Sequence, residues 1–335
     1  MHQVGPMIHQ RAARMFSIVA CATVLAGCQS GDGKWSDPAA HQTSVVTVAP
    51  GIDLEVIDWG GSGPPLVFLA GLGNTAHAYD DFAPRFVDQF RVVAITRRGF
   101  GASSHPDSGY DARTLGSDVS SVLRSMQLDR AILAGHSIAA IELTAMGTHH
   151  ADQVRKLVYL DTYCNLPAAD SVWQALVESP PAGTATPVQP GDADTLTASG
   201  YVSFVHRTRG VSIPEADIRI RYAEDGWNEE LGKGFRAVFA ALETQPCTSV
   251  RVPALAIIAS RDAIDQEEPH IRADTAAWPA QREVERRLGT MIEMVRADFA
   301  AVSPAWRVEV IRGGHHWVFV SHADEVERLM REFLR

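Results

Sequence analysis

Three residues in this chain have the types and the order needed for acyl-transfer chemistry: Ser137, then Asp262, then His316. A serine hydroxyl is a weak nucleophile at neutral pH. It needs a base within hydrogen-bond reach, and the base needs an acid to hold its tautomer. Ser137 follows Gly135-His136 and lies between an apolar run, Ala131 to Ala134, and a helically patterned stretch from Ile138 to His149. A sharp turn between strand and helix would expose the serine at the end of a sheet, with Gly135 leaving room for the strained backbone. The N–H of Ile138, at the helix start, is then placed to donate to a developing oxyanion. A serine that merely caps the helix would use the same residue type without chemistry.

The elements that must position these residues alternate along the chain. Ser44 to Val48 and Ile52 to Trp59 read as two strands joined near Pro50-Gly51, an antiparallel start. Continuous apolar runs follow at Leu66–Ala70, Arg91–Ile95, Ala131–Ala134, Lys156–Leu160, Ala254–Ala259 and Arg307–Ile311, the pattern of strands buried on both faces. Helical periodicity separates them at Ala78–Phe90, Thr114–Met126, Ile138–His149, Phe235–Glu243 and Asp324–Leu334. This alternation predicts an α/β fold, an eight-stranded, mostly parallel sheet with helices on both faces. Two stretches interrupt it. Residues Cys164 to about Leu231 carry Pro180-Pro181, Pro187 and Pro190, and residues 265–304 contain an amphipathic run, Gln281 to Phe299.

With these motifs in place, the chain from Ser44 to the C-terminus resembles the serine-dependent α/β-hydrolases. The resemblance implies an inserted lid at about 164–231 and makes 265–304 a second insertion. Their serine elbow reads Gly-x-Ser-x-Gly; here Ala139 stands at the last position, with Ala140 next, so the turn is more crowded. Asp262 ends Pro253 to Arg261, which looks like the family's strand followed by the turn bearing the acid. Asp265 is a near rival, and Asp161 occupies the other strand end where some hydrolases place it. In Gly313-Gly314-His315-His316-Trp317, relatives place a small residue, the catalytic histidine and an aromatic, with a valine ten positions on. Val326 fits His316 better than His315. The resemblance also implies a second oxyanion donor from the loop after the Leu66 strand. Relatives carry His-Gly there and this chain has Ala70-Gly71, so Leu72 N–H is expected to donate. Thr96 to Ser103 resembles the fold's Asp-x-Arg-Gly-x-Gly-x-Ser turn, with Thr96 in place of the acid, and is read as structural.

Composition narrows the partners. The 335-residue chain is 46% hydrophobic and carries a net charge of −10, without a basic run, which argues against a nucleic-acid partner. Arg11 and Arg14 precede an apolar stretch, Met15 to Ala26, that has the length of a signal-peptide core and is too short to span a bilayer. It ends in Leu25-Ala26-Gly27-Cys28, which resembles a bacterial lipobox. Residues 1–27 are therefore expected to be a lipoprotein signal peptide, Cys28 the lipidated first residue, and residues 28–43 a flexible tether. Gln29, where an inner-membrane protein would carry Asp, favours the outer membrane, with the domain facing the periplasm or exterior. Cys164 and Cys247 are expected to be separate thiols, since one follows a strand end and the other precedes a strand start, about a strand length apart.

The expected activity is hydrolysis of a carboxylic ester: Ser137 attacks, His316 moves the proton, Asp262 orients it, and Leu72 and Ile138 hold the oxyanion. Amidases, lactonases and carbon–carbon bond hydrolases keep the same serine, whereas epoxide and haloalkane enzymes use an aspartate nucleophile. A surface binding protein with a vestigial elbow is the reading from another class, given Ala70, Thr96, Ala139 and Ala140. No His-Glu-x-x-His or paired Cys-x-x-Cys occurs, so no cofactor and no catalytic metal are expected. Trp173, Tyr201, Phe204, His206, Tyr222 and Trp227 would either line an apolar acyl pocket or pack the lid itself.

Overall fold

The computed structural model describes residues 35–335 apart from 166–178, 186–187, 192–193, 195–196, 224–225, 228 and 242–244. The expected signal peptide, Cys28, the start of the expected tether and Trp173 lie outside the described residues, as do the side chains of Tyr222 and Trp227.

Eight strands form one sheet: β1 (Gln42–Ala49), β2 (Ile52–Gly60), β3 (Pro65–Leu69), β4 (Arg91–Ile95), β5 (Ala131–His136), β6 (Val154–Leu160), β7 (Ala254–Ser260) and β8 (Arg307–Arg312). Their order across the sheet is β1-β2-β4-β3-β5-β6-β7-β8. β2 pairs antiparallel with β1 and with β4, and all other pairings are parallel. Every residue of β5 is buried, as expected of a strand covered on both faces. One apolar core lies under α1 (Ala112–Ser125) and α2 (Ala140–His149). The other lies under the C-terminal helix Ala323–Leu334 and the aromatic cluster Phe68, Tyr79, Phe82 and Phe86.

The expected helix Ala78–Phe90 is replaced by two short 3-10 turns, Ala76–Tyr79 and Ala83–Phe86. Pro84 has no N–H to donate and its ring would clash with the preceding turn, so the chain restarts there. The lid region contains α3 (Ala198–Arg209), α4 (Glu215–Arg221), a short ladder of Tyr222–Ala223 with Gly226–Trp227, and α5 (Glu229–Ala240). In the second insertion the amphipathic run becomes α6, Trp278–Val302, a helix of 25 residues.

Cys164 and Cys247 are joined by a disulfide with their α-carbons 5.1 Å apart, which corrects the expectation of separate thiols. Beyond β6 the chain does not continue along the strand axis. It folds back over α2, where Thr144 Oγ1 donates to the Cys164 carbonyl at 3.3 Å. The turn Cys247–Ser249 lies against the same helix, with Ser249 Oγ 3.1 Å from Thr148 Oγ1. A strand-length separation therefore closes over one helix face.

Candidate active site

β5 delivers His136 in extended conformation, and the next residue, Ser137, has φ +54°. A left-handed φ is costly for a residue with a Cβ and persists only where its surroundings enforce it. Here the constraint is visible in the packing. A Cβ on Gly135 would sit 2.9 Å from the Ala139 Cβ and 3.0 Å from Leu143, so the turn closes only over glycine. Ala139 itself has φ −62°, needs no glycine, and is fully buried. The methyl group that departs from the elbow pattern thus fills the space over Gly135.

The Ser137 Oγ is 3.0 Å from His316 Nε2, and His316 Nδ1 is 2.7 Å from Asp161 Oδ2. The carboxylate brought to His316 is therefore Asp161, a correction to the expectation of Asp262. β6 lies beside β5, whereas β7 is one strand further out, so the end of β6 is the nearer platform. Asp161 turns its carboxylate inward through φ +47°. Its N–H donates to Ile257 O at 2.7 Å, and its Oδ1 accepts from Ala259 N–H at 2.8 Å. Asp262 ends in an exposed ion pair with Arg312, and its N–H donates to Gln266 Oε1. Asp265 lies in the short turn Ile264–Gln266.

The two adjacent histidines separate cleanly. His315 is buried, accepts from Trp317 N–H at Nδ1 and so donates from Nε2 to Glu268 Oε1 at 3.0 Å. Burial holds its pKa below the usual value. His136, beside the serine, is also buried, and burial holds it neutral well below the usual range. Its Nε2 donates to the His316 carbonyl at 2.8 Å, fixing the backbone of the base. Sequence reasoning had no role for His136; its position next to the serine was the only signal.

The residues expected to donate to an oxyanion, Leu72 and Ile138, follow neighbouring strands, since Leu69 of β3 pairs with Gly135 of β5. Ile138 lies in the first turn after the elbow, and Leu72 packs against the cluster that contains it. The loop bearing Leu72 presses on the elbow so closely that a Cβ on Gly71 would lie 2.5 Å from His136 Nδ1. Two further residues hold this loop. Arg97, buried and paired with Glu142, donates to Ala70 O at 3.0 Å. Asp217 on α4 is fully buried and accepts from Asn74 Nδ2 at 2.8 Å, Thr75 N–H at 2.6 Å and Thr75 Oγ1 at 3.0 Å. Asn74 Oδ1 in turn accepts from Trp317 Nε1 at 3.4 Å, joining the Leu72 loop to the His316 loop. Asp217 was not foreseen, because a lone acid in the lid carries no pattern. Thr96 bridges Glu55 and Ala76 N–H, and Arg98 grips Asp118 through two bonds, so the arginine turn is structural.

A cavity of about 1190 Å³ opens at Ser137 and runs beneath α6. Its lining includes Ile138, Ile258, Met291 and Ile292, together with Arg209, Arg261, Glu267, Glu268 and Glu285. The lining is mostly apolar but carries several charged groups, because α6 contributes Arg282 and Glu285 beside Leu288, Met291, Ile292 and Val295. Burial, and the Glu267 carboxylate beside it, push the Glu285 carboxyl up to about 8. Of the lid aromatics, Phe204 is buried in the lid's own cluster with Tyr201 against it. His206 bonds Ser212.

The chain is similar over 101 residues, at 32% identity, to the 2-(acetamidomethylene)succinate hydrolase of Mesorhizobium japonicum (strain LMG 29417 / CECT 9101 / MAFF 303099), a match covering 30% of this chain and 36% of that protein. It is also similar to the soluble epoxide hydrolase of Corynebacterium sp. (strain C12), at 32% identity over 101 residues, 30% of this chain and 35% of that protein. The chain thus matches about a third of the length of these relatives. The crystal structure of E-2-(acetamidomethylene)succinate hydrolase superposes with a TM-score of 0.59 at 21% identity, covering 88% of this chain and 99% of that one, a likeness of fold. Residues 66–329 match the model of the alpha/beta hydrolase family, and on that span the chain belongs to this family.

Proposed function

We propose that this protein hydrolyses a carboxylic ester, or a closely related acyl bond, through an acyl-enzyme on Ser137. The observation that carries this reading is the continuous hydrogen-bonded path from Asp161 through His316 to Ser137. Ser137 Oγ attacks the acyl carbon while its proton passes to His316 Nε2, and Asp161 stabilises the imidazolium that forms. The N–H groups of Ile138 and Leu72 take the oxyanion, His316 protonates the leaving group, and water then releases the acyl group from the serine. The serine nucleophile favours ester, amide, lactone or carbon–carbon bond hydrolysis over epoxide opening. The charged cavity wall favours a compact acyl substrate with a polar or ionic group over a long-chain lipid. A fluorophosphonate probe should label Ser137 in the folded protein and fail in His316→Ala. Absence of an adduct on the wild-type chain, or equal labelling of the variant, sinks this reading. Hydrolysis of nitrophenyl esters of increasing chain length should fall off beyond short acyl groups.

We also infer that the mature protein is anchored by acyl chains on Cys28, in the outer membrane, with the hydrolase domain facing the periplasm or exterior. The Leu25 to Cys28 tetrapeptide carries this inference, and the Cys164–Cys247 disulfide supports an oxidising compartment. No helix among the described residues is long and apolar enough to cross a membrane. Metabolic labelling with palmitate should tag the wild-type chain and not Cys28→Ser; equal labelling would overturn the assignment.

A further inference from the structure

Away from the serine site, four side chains meet at the base of the N-terminal segment: Asp37, His41, His77 and Asp80. The first pair precedes β1, and the second sits on the turn that follows the Leu72 loop. One ligand atom from each lies within 4.8 Å of all the others. The side chains of His41, His77 and Asp80 are only 7%, 7% and 4% exposed, and that of Asp37 is 21% exposed. We propose that this cluster is a structural zinc site.

The spacing is close to that of a tetrahedral set. Zinc takes imidazole nitrogens and carboxylate oxygens at about 2.0–2.2 Å, so ligand atoms around it lie roughly 3.3–3.5 Å apart. His77 Nδ1 is 3.1 Å from Asp37 Oδ2 and 3.0 Å from Asp80 Oδ2. His41 Nε2 is 3.2 Å from Asp37 Oδ2 and 3.6 Å from Asp80 Oδ1.

Hydrogen bonding alone does not satisfy the group. Asp80 Oδ1 is buried, faces the cluster and has no hydrogen-bond partner, a costly state for a carboxylate oxygen. His77 Nδ1 carries at most one proton, yet two carboxylates converge on it. A shared dication would give His77 Nδ1, His41 Nε2 and the two aspartates a common partner and offset the negative charge of the pair, of which Asp80 is buried.

The surroundings are those of a closed site. Asp37 Oδ1 is already used by Ala39 N–H at 2.9 Å, leaving Oδ2 for the centre. The far nitrogen of His77 lies 3.9 Å from Glu55 Oε1, too long for a hydrogen bond but on the side from which a carboxylate can orient a metal-bound histidine. Glu55 is itself held by the Thr96 hydroxyl at 2.7 Å. Four protein ligands leave no open coordination position, so the ion would be structural. It would clasp the segment leading from the tether to the turn five residues beyond Leu72, steadying the loop proposed to hold the oxyanion.

The test is zinc titration of the untagged full-length chain after chelator treatment, read by calorimetry and by the thermal unfolding midpoint, with cobalt as a spectroscopic stand-in. One equivalent of zinc should bind and raise the midpoint, and cobalt should give the intense visible absorption of a tetrahedral site. Asp80→Asn should abolish both signals. His41→Ala, outside the sheet, provides a second variant should Asp80→Asn fold poorly. Binding at no defined stoichiometry, a weak octahedral-type cobalt spectrum, or unchanged binding in the folded variants would overturn the site.

Discussion

The ends of β6 and β7 look alike in sequence, each an apolar strand running into an aspartate, yet they do opposite things. At the end of β6, Asp161 is held in a left-handed turn, receives the Ala259 N–H and faces His316, with its side chain 16% exposed. At the end of β7, Asp262 is 48% exposed and pairs with Arg312, itself 75% exposed. A carboxylate in a confined, hydrogen-bonded position acts strongly on its neighbour, whereas an exposed ion pair is screened by water and salt. What separates them is adjacency to β5. The strand beside the one that bears Ser137 supplies the carboxylate that faces His316, and the next strand out supplies a backbone N–H that fixes it.

The sharpest way to break this comparison is to neutralise each acid in turn. Asp161→Asn should lower kcat on a nitrophenyl ester by about 10⁴-fold with the fold unchanged by circular dichroism, the scale expected when a catalytic histidine loses the partner of its tautomer. If Asp262→Asn caused the large loss instead, the assignment of roles would be reversed. Next in size is the disulfide that ties down the segment just beyond Asp161. Replacing Cys164 and Cys247 by Ala should cost about 2–5 kcal/mol in denaturant unfolding, because the bridge closes a long loop. An unchanged midpoint would mean that the chain beyond β6 is held by packing alone.

Smaller again is the effect of Glu285, in the cavity wall near the end of β7. Its carboxyl is raised from 4.5 to about 8, first by burial and then by Glu267. The folded chain thus keeps a proton that the unfolded chain releases. Stability from this group is fully present below pH 4.5 and is lost as pH rises through about 8. Glu285→Gln should flatten that part of the stability–pH curve, measured by chemical unfolding across the range; an unaltered slope would contradict the raised carboxyl. Least affected should be Asp262→Asn, changing stability by no more than about 1 kcal/mol and activity by only a few-fold, as for other exposed ion pairs.

Much of this arrangement was legible in the chain itself. Continuous apolar runs marked β3 to β7 because both faces of a parallel sheet are covered; the run Arg307–Ile311 marked β8 too, although that strand lies at the sheet edge and is mostly half-buried. Gly135, Ser137 and Ile138 marked the elbow because few residues tolerate that turn. His316 was distinguishable from His315 through its neighbours Trp317 and Val326. Lateral strand order, which chose Asp161 over Asp262, is not written in local pattern. The fold of the chain back over α2 is equally non-local, and it brought Cys164 to Cys247. The same holds for Asp217 at the oxyanion loop, 142 and 143 positions from its partners, and for the joining of Asp37 and His41 to His77 and Asp80.

By itself, then, the sequence marked the strands, the elbow, and Ser137 and His316 as the candidate nucleophile and base, since each rests on periodicity or on the steric demands of a few consecutive residues. Only the tertiary structure decided which carboxylate faces His316, the disulfide, the charged groups in the cavity wall and the histidine–aspartate cluster. Each depends on which distant segments a twisted, crossed-over sheet sets side by side, and contacts of that kind leave no local pattern in either chain segment.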